Sequence, residues 1–80
     1  MKHSHQFVED YDGMMAFGMD RKTNEATLIC YLQKFSDDTF LQTLIPRFSD
    51  EELEEVFEFI TDKMKAHLTE PEYHSLFLKD

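Results

Sequence analysis

The stretch MMAFGMDRKTNEATLICYL, residues 14–32, decides the fold. A polar run from Asp20 to Glu25 separates two apolar segments. Upstream, Met15, Phe17 and Met19 alternate with Ala16 and Gly18; downstream, Ile29 and Tyr31 alternate with Leu28, Cys30 and Leu32. A period of two is the signature of a half-buried strand. Asp20 suits the first position of a type I turn, and Asn24 tolerates the left-handed conformation of a hairpin bulge. The stretch therefore predicts a β-hairpin with strands over 14–19 and 26–33. The competing reading is a helix from Asn24, because Leu28, Tyr31, Leu32 and Phe35 also fall at helical spacing. The two glycines and the turn chemistry favour the hairpin.

Working outward toward the N-terminus, Asp12-Gly13 is a two-residue hairpin signal that would make Gln6–Tyr11 a third strand. The alternative is a short helix capped by Ser4 and ended by Gly13, with Phe7 and Tyr11 one turn apart. Residues 1–5 are expected to be a flexible lead-in.

Toward the C-terminus one helix-start pattern occurs three times. Ser36 precedes Asp37 and Asp38, Ser49 precedes Asp50, Glu51 and Glu52, and Thr69 precedes Glu70, Pro71 and Glu72. Each hydroxyl can accept from the orphan N–H groups of a first turn, and the acids suit the positive end of the helix dipole. Glu52 and Glu72 stand three residues after their caps and complete capping boxes. Apolar pairs at staple spacing flank all three: Phe35 with Phe40, Phe48 with Leu53, Leu68 with Tyr73. Helices are expected over about 37–45, 50–67 and 70–78, with Pro46 biasing Ile45 away from helical dihedrals and closing the first. The fold class that follows is α+β: a small antiparallel hairpin or three-stranded meander in the N-terminal half, packed on two or three helices. An all-α chain is the alternative.

Eighty residues make a single domain over 1–80. The formal charge is −9, from seventeen acids against eight Lys and Arg. Such a chain repels polyanions, which disfavours direct contact with nucleic acid or an anionic membrane. One cysteine, Cys30, leaves no internal disulfide and fits a reducing cytoplasm. No apolar run reaches the length of a signal peptide or a membrane span. Eight Phe and three Tyr are generous for so short a chain, so the rings build either an aromatic core or a contact with a second subunit, a homodimer included.

The helix expected over 50–67 is the most informative element. At about 100° per residue, Leu53, Val56, Phe57, Ile60, Met64 and Leu68 share one stripe roughly 120° wide, the expected core face. Glu51, Glu54, Glu55, Glu58 and Asp62 gather opposite. Such a face is ordinarily just wet, but here like charges recur four residues apart, in Glu51–Glu55, Glu54–Glu58 and Glu58–Asp62. Each pair costs ~0.2–0.5 kcal/mol where a lysine would help by as much. Phe59 lies about 110° from the apolar axis and needs a cover: the hairpin, the N-terminal segment, or another molecule.

Residues that could carry chemistry are sparse. His67, Glu70, Glu72 and His74 lie close in sequence, but a helix break intervenes and no ligand pair stands one turn apart. Met1-Lys2-His3 with a free amine offers a square-planar nitrogen set for Cu(II) or Ni(II), which makes His3 a weak metal candidate. Met14, Met15 and Met19 read as a pliable core, and Cys30 between Ile29 and Tyr31 as a buried thiol. No catalytic residue is assigned and no cofactor is implied. The expectation is a non-enzymatic interaction module, an adaptor, inhibitor or accessory subunit, that meets a basic protein through Glu51, Glu54, Glu55, Glu58, Phe59 and Asp62. The alternatives are an inhibitor that imitates the charge of nucleic acid, with Glu9, Asp10 and Asp12 extending the face, and a copper or nickel binder.

Overall fold

The structure, a computed structural model, describes residues 5–80. The expectations for Ser4 as a cap, His3 as a ligand and residues 1–4 as a flexible start lie outside the described residues. The elements are helices throughout: α1 (Gln6–Asp10), α2 (Arg21–Phe35), α3 (Asp38–Leu44), a 3₁₀ turn (Ile45–Arg47), α4 (Asp50–His67) and α5 (Glu70–Glu72), which runs on as a π-helix (Tyr73–Leu78). No strand occurs among the described residues, so the α+β class, the hairpin and the three-stranded meander are overturned, and the all-α alternative fits.

The residue that overturns the hairpin is Asp20. Its carboxylate accepts from the Thr23 N–H at 2.8 Å and from the Thr23 hydroxyl at 3.2 Å, making it the N-cap of α2. A turn-forming Asp and a capping Asp satisfy the same nearby N–H groups, and the chain beyond decides between them. Here Arg21 and Glu25 pair at 2.6 Å across one helical turn and carry the helix forward. The would-be first strand does not pair through its backbone. Thr27 receives the Ala16 N–H at 3.1 Å and donates to the Ala16 carbonyl at 2.9 Å, while Asn24 receives the Gly18 N–H at 2.8 Å. Gly18 adopts φ +96°, a left-handed bend that ends any strand geometry. Met14, Met15 and Met19 are exposed, which corrects their reading as core, and Phe17 among them is exposed as well.

The chain divides into two compact units, one ending at Pro46 and one spanning Arg47–Asp80. In the first, α1 packs on α2 and buries Val8, Thr27 and Cys30, the last at 1% exposure. The Val8 N–H donates to Gln33 Oε1 at 2.8 Å. The segment read as either a third strand or a short helix is α1, with His5 at its N-cap position and Tyr11 at its C-cap, before Gly13. Phe7 and Tyr11 stack at 5.7 Å, as one turn of helix requires. Ser36 serves as the C-cap of α2, and Asp37 caps α3 by accepting from Phe40 N–H at 3.0 Å. The Phe35–Phe40 contact is present, edge to face at 5.3 Å. Ile45 stays helical (φ −59°, ψ −42°), contrary to expectation. Pro46 has no N–H to continue the α ladder, and the chain leaves through the tighter 3₁₀ turn instead.

In the second unit the expected helix boundaries hold. Ser49 caps α4 and Thr69 caps α5, each in a full capping box with Glu52 and Glu72. Leu68 is extended (φ −114°, ψ 143°) and separates the two. Tyr73 stacks on Phe77 at 5.5 Å, and Lys79 closes the chain in the left-handed region at φ 61°. No residue of α4, α5 or the π-helix is buried. The stripe expected to be a core face is formed but only partly covered: Val56, Met64 and Leu68 are half-buried, whereas Leu53, Phe57 and Ile60 are exposed.

Candidate protein-interaction surface

Helix α4 positions every residue expected to meet a partner. Its first turn is fixed at both ends of the capping box: the Ser49 N–H donates to Glu52 Oε1 at 2.9 Å and the Glu52 N–H donates to Ser49 Oγ at 3.1 Å. That closure spends Glu52 on the backbone and leaves Glu51, Glu54, Glu55, Glu58 and Asp62 outside it. All five are exposed and, with Phe59, share one stretch of surface along the helix. The structure thus brings together the six side chains anticipated for partner contact.

Among the described residues none of these five carboxylates takes part in a hydrogen bond or an ion pair. On the same helix, Lys63 Nζ stands 5.4 Å from the centre of the Phe59 ring. Phe59 itself is 62% exposed. The hairpin expected as one cover for it does not occur among the described residues. A row of carboxylates beside a largely exposed aromatic ring offers charge for steering and apolar area for anchoring.

His67 and His74 sit at helix ends. His74 Nε2 lies 3.7 Å from Glu70 and His74 Nδ1 lies 3.2 Å from Asp80, while His67 closes the last turn of α4 near the negative end of its dipole. Glu72 accepts from both the N–H and the hydroxyl of Thr69, and these bonds hold its carboxyl below the ordinary carboxylate range. Asp20 is lowered in the same way, chiefly by the Thr23 N–H. Cys30 is buried in the first unit, as its apolar flanks suggested.

Sequence reading missed a second feature. Between α4 and the helix that follows lies an apolar groove of about 580 Å³, walled by Phe57, Ile60, Met64 and Leu68 on one side and Tyr73 and Phe77 on the other. The signal for its second wall was available in the four-residue spacing of Tyr73 and Phe77. No helix among the described residues is long and apolar enough to cross a membrane. Compared with protein-family models, curated proteins and solved structures, the chain matches none.

Proposed function

We propose that the protein is a non-catalytic, cytoplasmic interaction module, an adaptor, inhibitor or accessory subunit, that recognises a basic protein surface through the acidic face of α4. The observation that carries the reading is the set of five exposed carboxylates that form no ion pair among the described residues, arrayed beside the largely exposed Phe59 ring. A helix shaped only for its own stability gains by alternating charge sign, and this one forgoes that gain along its whole outer face. The carboxylates speed encounter with a cationic surface, and Phe59 supplies apolar contact once the surfaces meet.

The test is recovery of binding proteins from native extract on the untagged chain, beside Glu55/Glu58/Asp62→Lys and Phe59→Ser. One stoichiometric basic protein, captured by the wild type, released by salt and lost with both variants, is the expected result. Equal recovery on all three returns the acids to the role of a solvated face and rejects the proposal.

A further inference from the structure

The apolar groove of the second unit is a different surface from the acidic face, and its charges point to a definite occupant. Leu53, Phe57 and Ile60 are 41, 72 and 48% exposed, and Phe77 across the groove is 54% exposed. Together they leave on the order of 400 Å² of apolar surface open, taking a large side chain at about 200 Å². A standard interface covers about 800 Å² on each partner, somewhat more than half of it apolar. The groove together with Leu53, which extends the α4 stripe beyond it, therefore has roughly the apolar area that one stable interface needs.

The charge of α4 is polarised along its length. Its first nine residues, 50–58, hold six acids and no base; its last nine, 59–67, hold Lys63, Lys65 and His67 against Asp62 alone. Two such helices laid parallel would set six acids against six. Laid antiparallel, each acidic half meets a basic half. A two-fold axis between Glu58 and Phe59 places Leu53 opposite Met64 of the second copy and Phe57 opposite Ile60 of the second copy, so the stripe meets itself in register. At about 100° per residue, Asp50, Glu54 and Lys65 flank the stripe on one side, and Glu52 and Lys63 flank it on the other. The same axis brings Glu54 within two residues, or ~3 Å along the helix, of Lys65 of the second copy, and Glu52 equally near Lys63 of the second copy. Glu55, Glu58 and Asp62 point away from this seam.

From the open stripe, its area and this self-complementary charge pattern, we infer that a second copy of the chain occupies the groove, with the two α4 helices antiparallel. The interface is isologous and closes on itself, so it yields dimers, not filaments. It stands whether or not the outer acidic face takes a basic partner.

Sedimentation equilibrium of the full chain tests this over a wide concentration range. The expected result is a reversible rise from 9.6 kDa to twice that mass. Phe57→Ser should weaken the dimer at least tenfold with helix content retained, because that ring is not part of a monomer interior. Glu54→Lys alone and Lys65→Glu alone should each weaken it about three- to tenfold, and the double variant should restore it. A parallel pair would not be restored, since like charges would still face like. A monomer at every concentration, a dimer indifferent to Phe57→Ser, or a double variant no better than the singles overturns the inference.

Discussion

Asp20 is the N-cap of α2, in the stretch where hairpin and helix compete. Its side chain forms the same short bonds in a turn as in a helix cap, so local chemistry at Asp20 cannot separate hairpin from helix. The chain beyond is what differs: Arg21 and Glu25 pair at 2.6 Å across one helical turn, and Leu28, Tyr31, Leu32 and Phe35 continue the helical spacing. Replacing Asp20 with alanine should cost about 1 kcal/mol in denaturant unfolding, while asparagine should keep most of the cap. If both variants unfold as the wild type does, Asp20 is not the cap. The same residue and Glu72 carry a pH dependence. Both carboxyls are lowered in the folded chain, so their contribution is fully present above the ordinary carboxylate pKa of about 4 and is lost as pH falls through the lowered values. Circular dichroism should show the ends of α2 and α5 fraying below about pH 4, with no matching change between pH 6 and 8. Gly18→Ala should destabilise by roughly 1 kcal/mol, entirely through its φ of +96°, since nothing lies within 4 Å of an added Cβ.

At the scale of elements, α4 was readable because three independent signals agree on it: a capping box, a one-sided apolar stripe and a dipole-matched distribution of charge. Helix α2 was not readable because its signals disagree. Its buried side is Thr27 and Cys30, whereas Leu28, Tyr31, Leu32 and Phe35, the residues that define its helical spacing, lie on the exposed side. Apolar residues all round a helix blur a period of 3.6 into an apparent alternation. The acidic face of α4 makes a quantitative prediction. Glu58→Lys turns the repulsive contacts with Glu54 and Asp62 into attractive ones and should raise helix stability by about 1 kcal/mol. A variant less stable than the wild type would mean that Glu58 holds a cation or a backbone group that stabilises the native chain.

The whole molecule shows what no local pattern contains. The first unit has an interior, small but closed, in Val8, Thr27 and Cys30; the second, Arg47–Asp80, has none. Sequence periodicity marks which side of α4 is apolar, but whether anything covers that side depends on the number and placement of neighbours, which periodicity does not encode. The six residues of the acidic surface were found because exposure needs no partner to be inferred. The spacing of Tyr73 and Phe77 marks an apolar side on the segment after α4, but that this side stands across from the α4 stripe depends on how the chain turns at Leu68, which no periodicity encodes. Amide hydrogen exchange of residues 53–64, followed as a function of protein concentration, addresses the open stripe most directly. Closure by a second copy requires protection there to rise about threefold for each tenfold increase in concentration, by mass action, while α2 stays unchanged. Full protection of 53–64 that does not vary with dilution would show the stripe already covered within one chain.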